Sequence, residues 1–161
     1  MSTQTLEWPR EVEEKSQPWN EQKNVPTSQG KSWTESPSGR ELNAEIEQAK
    51  RILELKDDWD GEGSPGYSED TFNRAVAFLT TYAERLWESW GIPLPIPRIG
   101  PGPDGSIDLY WKQPHWELLV NIPTDPNEAA SFSGEDDGGH QSRGFQDTEK
   151  FNEIFETWLK K

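Results

Sequence analysis

Between residues 106 and 122 the chain alternates. Ile107, Leu109 and Trp111 fall two apart, Gln113-Pro114 interrupts, and Trp116, Leu118, Val120 and Ile122 resume the pattern. Successive side chains of a strand point to opposite faces, so a period of two demands strands with one covered face. The short connection makes the pair an antiparallel hairpin. Asp104-Gly105 marks a turn before it, and Asp125-Pro126-Asn127 marks one after it. Residues 128–133 read as a weaker third strand, with Ala130 and Phe132 aligned. Proline at 93, 95, 97, 101 and 103 forbids helix over residues 92–103. That run predicts an extended crossover leading into an edge strand, the place where a sheet tolerates proline. A polyproline ligand is its other use, set against its position inside the domain.

Helical patterning flanks the strands. Ser38-Gly39-Arg40-Glu41 has the form of a capping box. Leu42, Ile46, Ala49, Leu53 and Lys56 follow on one helical face, with Ile52 widening it. Ser68 is placed to cap a second helix, whose first turn holds Glu69 and Asp70. Phe72, Ala75, Val76, Leu79, Ala83, Leu86 and Trp90 mark its buried stripe, and Gly91 suits its end. Residues 134–144 hold no apolar side chain and predict a mobile loop. A closing helix puts Phe151, Ile154, Phe155, Trp158 and Leu159 on one face. The order predicts an α+β fold: an N-terminal helical hairpin and a C-terminal helix packed on an antiparallel meander of three or four strands.

Residues 1–37 lack either period and hold only Met1, Leu6, Val12 and Val25 as aliphatics. They read as a disordered tail, with residues 38–161 as one domain. Trp8, Trp19 and Trp33 stand out in that tail, as anchors for a protein partner or as rings that lie back on the chain's own domain. Net charge is −14, and residues beyond 40 carry 24 acids against 11 bases. Such a surface repels nucleic-acid phosphates and anionic membranes and favours a basic protein partner. Cysteine is absent, which excludes thiol chemistry and fits a cytoplasmic setting. No apolar run approaches the ~20 residues of a membrane span, and the first residues have no signal-peptide character.

The chemistry-bearing motifs are few. Residues 58–69 fit the calcium-loop template, with Asp58, Asp60 and Glu62 at positions 1, 3 and 5, Gly63 at 6 and Glu69 at 12. Against it stand the longer Glu62, Pro65 at position 8 and the lack of a second loop. The plainer reading is a connector in which glycines turn the chain, Trp59 plugs the gap between helices and Ser68 starts the next one. Glu135-Asp136-Asp137 offers a looser cation site. His115 and His140 stand alone, without a metal-ligand pair or a serine partner, and no nucleotide-binding glycine loop follows a strand.

Trp59, Asp60, Gly61, Gly63 and Ser64, followed by Pro101, Pro103, Asp104, Gly105, Ile107, Leu109 and Trp111, carry a resemblance. The stretch from about residue 50 to 133 resembles a family of small uncharacterised bacterial proteins with W-D-G-x-G-[AS] between two helices and then P-x-P-D-G-x-I/V-x-L-x-W. The resemblance implies the fold and the connector reading of the loop; no activity comes with it. The expectation is a non-catalytic interaction protein: an accessory, adaptor or inhibitor subunit of the antitoxin, immunity or defence kind, with no cofactor. A calcium-binding module is the alternative.

Overall fold

The structure is a computed structural model and describes residues 32–147 and 150–161. Among the described residues, three helices and a five-stranded antiparallel sheet make an α+β fold. The helices are α1, Pro37–Ala49, α2, Glu69–Trp90, and α3, Glu153–Leu159. The strands are β1, Arg98–Pro101, β2, Ile107–Lys112, β3, Trp116–Ile122, β4, Ala130–Asp136, and β5, Gln141–Gln146, in the spatial order of the sequence. The chain gathers into two compact units. Of the described residues, one unit takes in those up to Ala44 with Ala83–Leu94, and the other takes in Glu45–Tyr82 with those from Pro95 to Lys161.

In the first unit the capping differs from the capping-box expectation. Ser36, not Ser38, starts α1: its Oγ accepts the Gly39 amide at 3.1 Å, and Pro37 takes the first helical position. Ser38 instead donates to the Leu94 carbonyl at 3.0 Å. Residues 33–35, expected in the tail, form a short helical turn. A Cβ at Gly39 would stand 2.1 Å from the Trp33 carbonyl, so only glycine admits that turn against the helix. Gly91, at φ +65°, turns the chain so that its amide and that of Ile92 reach back to Trp87 and Leu86. Trp90, expected in the buried stripe, is exposed.

The second unit holds the sheet. Ile107, Leu109 and Trp111 of β2 and Trp116, Leu118, Val120 and Ile122 of β3 are buried, as the alternation requires. Leu109 stands opposite Val120, and Trp111 opposite Leu118. Pro103–Gly105 makes the β1–β2 turn: Asp104 and Gly105 both take positive φ, and the Ser106 amide donates to the Pro103 carbonyl. The regular helix α1 ends at Ala49 and tightens into a 3-10 turn, so Ile52 is buried and Lys56 is exposed.

The fifth strand corrects the expected loop over residues 134–144. β4 continues to Asp136, and β5 returns beside it after a tight turn. The inner face here lacks large side chains because rings from elsewhere occupy the space. A Cβ at Gly134 would stand 2.9 Å from Trp158 Cε2, and one at Gly144 would stand 3.1 Å from Phe132 Cε1. Polar Gln146 is buried at the end of β5 and donates to the carbonyls of Asp147 and Lys150.

Helix α3 closes this core, though Phe151 and Ile154, expected on its buried face, are exposed. Asn152 caps it, accepting the amides of Ile154 and Phe155, while the Asn152 amide donates to Tyr82 Oη at 3.0 Å. Phe155 is wholly buried, with ring centroids of Tyr82, Phe78, Phe132 and Trp111 at 4.9, 5.5, 5.9 and 6.1 Å. Truncating Phe155 to alanine empties the point where those rings meet. Phe155→Ala is expected to cost about 3–5 kcal/mol in urea denaturation.

Candidate functional sites

The acidic connector is built from its own carboxylates. Asp58 Oδ1 accepts the Gly63 amide at 2.7 Å, and Asp57 Oδ1 accepts the Gly66 amide at 2.8 Å. Asp60 accepts the amides of Glu62 and Ser64 and the Ser64 hydroxyl. The Ser64 hydroxyl, then the Glu62 amide, hold the Asp60 carboxyl below the usual carboxylate range. Gly61 and Gly63 take positive φ, and Asp58 does so at +63°. Ser68 Oγ accepts the Thr71 amide at 3.1 Å and so caps α2.

Trp59 corrects the inward plug. It is 40% exposed, and its Nε1 donates to the Pro65 carbonyl, which lays the ring along the loop. Tyr67 stands beside it at 6.2 Å.

The calcium reading needs Asp58, Asp60, Glu62 and Glu69 to converge. Among the described residues no three carboxylate or imidazole groups gather to hold a metal. Asp58 Oδ1 and Asp60 Oδ1 each accept loop amides, and Glu69 lies in the first turn of α2. The same holds at Asp136: its Oδ1 accepts the amides of Gly138 and His140, shaping the β4–β5 turn. Calcium at about 1 mM, followed by a chelator, is expected to leave the melting temperature within about 1 °C.

A second polar cluster escaped the sequence reading, because its members are scattered single residues. Asn121 Nδ2 donates to Ser106 Oγ at 2.7 Å and to Asp108 Oδ1 at 2.9 Å. Ser106 Oγ donates to the Pro103 carbonyl, and Tyr67 Oη donates to the Gly102 carbonyl at 2.7 Å. Gly102 is essential to this closeness: a Cβ there would stand 2.5 Å from Ser106 Oγ. Burial pushes the Asp108 carboxyl up, partly offset by the Asn121 hydrogen bond. Burial, then the charges of Asp108 and Asp60, push the Tyr67 phenol up.

Because the fold raises the Asp108 pKa, Asp108's contribution to stability is full below its unfolded value, about 3.9, and is lost as pH rises through the folded value. Asp108→Asn is expected to raise the melting temperature at neutral pH, with the gain vanishing in thermal melts run below about pH 3.

The third site is the sheet's outer face. Tyr110, Leu119, Ser133 and Arg143 form one row across it, and Asp108, Asn121, Ser131 and Phe145 form the next. Leu119 and Phe145 are 37% and 76% exposed, and they border a shallow trough floored by Asn121, Ser131 and Ser133. Lys112, then Tyr110, donates to Glu117 and keeps its carboxyl below the usual range. The two edges of the sheet differ. On β1, Glu45 Oε2 takes the Ile99 amide at 3.0 Å and Pro101 has no amide to give. On β5, the Asp136 amide donates to the His140 carbonyl at 3.0 Å, so residues 136 and 140 are a hydrogen-bonded pair. Counting by twos, Ser142, Gly144 and Gln146 bond to β4, and the peptide groups of Gln141, Arg143 and Phe145 point away from the sheet. Among the described residues no strand lies on that side.

The remaining candidates are dispersed. His115 Nδ1 pairs with Asp137 Oδ2 at 2.8 Å on the surface, and His140 lies 6.3 Å from the Trp158 ring. Trp33 is buried, so its ring is not on offer to a partner in this conformation. Its Nε1 has no acceptor among the described residues. Trp8 and Trp19 lie outside the described residues. No helix among those residues is long and apolar enough to cross a membrane. Comparison with family models, curated proteins and solved structures gives no match, so the bacterial-family resemblance rests on its motif residues alone.

Proposed function

We propose that the chain is a non-catalytic protein-interaction module, an accessory, adaptor or inhibitor subunit that binds a basic protein. One observation carries this reading: the outer face of the sheet presents Leu119 and Phe145 to solvent beside a β5 edge that no strand among the described residues covers. Exposed apolar side chains beside unpaired peptide groups favour an incoming protein surface. Net charge of −14 selects a basic one and speeds its approach. Trp8 and Trp19 supply a tethered second contact, which raises effective concentration at the face.

The test uses the full chain as bait with Leu119→Glu and Trp8/Trp19→Ala variants. The wild type is expected to recover a basic protein that elutes at about 0.5 M salt. Leu119→Glu is expected to recover at least about fivefold less, because a charge then sits in the contact. The purified partner should show the same ranking in calorimetry. Equal recovery by Leu119→Glu, its fold intact by circular dichroism, rules the outer face out. Equal recovery by the tryptophan variant removes the tail's part alone.

A further inference from the structure

The β5 edge has a self-complementary register, and we infer that two copies of the chain pair there about a twofold axis. This goes beyond the partner reading: the open faces of two sheets become one ten-stranded face. The outward peptide groups belong to Gln141, Arg143 and Phe145. Antiparallel pairing of β5 with its copy therefore allows only registers that set these residues opposite one another. With Arg143 opposite Arg143, like charges meet directly, which is unfavourable. With Arg143 opposite Phe145 of the second copy, each guanidinium lies by a ring, and the pair occurs twice.

That register places Gly144 on the axis in a non-hydrogen-bonded pair, where Cα atoms come closest, at about 4.5 Å. Gly144 brings no side chain to that approach. Its missing Cβ is required on the inner face, where Phe132 lies. Phe145, at 76% exposure, is the most exposed large apolar side chain among the described residues and gains the most from cover.

Charge is the main opposition, since each copy carries −14. The acidic turn at Glu135–Asp137 begins opposite Gln141, about 10–15 Å along the strand from Gly144. In the antiparallel pair the two turns lie at opposite ends, about 20–30 Å apart, about three screening lengths at physiological salt. A six-residue strand pair buries little area, so a weak, concentration-dependent dimer is expected.

Sedimentation velocity on the full chain, from about 10 μM to about 500 μM, is the test. The wild type is expected to shift from monomer toward dimer across that range. Arg143→Pro removes an outward amide that β4 does not use, and is expected to weaken association at least about tenfold. Phe145→Glu reads the register: the introduced carboxylate would face Arg143 of the second copy, and the pair would occur twice. This variant should dimerise at about 0.05 M salt and lose about tenfold in affinity by about 0.5 M, unlike the wild type. A chain monomeric throughout overturns the pairing, as does association unchanged by Arg143→Pro in a folded variant. Phe145→Glu that fails to associate at low salt overturns the register even if Arg143→Pro misfolds. A monomeric wild type that still captures a basic protein sinks the pairing and leaves the partner reading standing.

Discussion

The second unit depends on one ring. Phe155 belongs to a helix of seven residues, too short to persist on its own, yet it meets aromatic rings from α2, β2 and β4. The exchange is mutual. Asn152 caps the helix and hands its own amide to Tyr82 Oη, so the cap and the core are set together. Trp158, one turn on, presses against Gly134 and lies 6.3 Å from Trp116. An aromatic layer of this kind needs small residues opposite it. Gly134 is therefore a packing residue, although it looks like a loop residue.

That substitution of rings for local side chains explains what the sequence showed and what it hid. The β2–β3 hairpin was visible because each inner position carries its own apolar side chain. Ser68, Gly91 and Asp104-Gly105 were visible because caps and left-handed turns are local chemistry. β5 was not, because its inner positions are Ser142, Gly144 and Gln146 and its one large apolar residue, Phe145, faces out. The space they leave is filled in part by Phe132 over Gly144, a contact that strand periodicity cannot encode. The Ser38 capping box failed for a related reason. Ser36 could cap only because Gly39 lets the Trp33 carbonyl come close, and that depends on where the preceding turn goes.

The two edges of the sheet show the same division between local and distant causes. β1 is short, ends in proline and spends the Ile99 amide on Glu45, a side chain 54 residues away. Such an edge offers little to another strand. Among the described residues β5 has no such guard: its outward peptide groups lie on Gln141, Arg143 and Phe145. An unguarded edge beside an exposed phenylalanine is costly in a protein that works alone, because it invites pairing of any kind. Strong net negative charge moderates that hazard by keeping copies apart at low concentration. Association through β5 therefore has to be specific in register to outweigh repulsion.

The acidic connector makes the last point about spacing and chemistry. A cation loop and a self-capped loop ask the same of a sequence: short-spaced oxygens that curl inward, with glycines where φ turns positive. Asp58, Asp60 and Gly63 satisfy both templates, so the motif could not choose between them. The choice lies in what the oxygens meet. Here Asp57, Asp58 and Asp60 each accept from backbone amides, and the Ser64 hydroxyl adds to Asp60. Each carboxylate has lone pairs beyond those that these bonds use, so self-capping and cation binding draw on the same scaffold. These bonds hold the loop's shape, and that shape keeps Trp59 at the surface, its Nε1 on the Pro65 carbonyl.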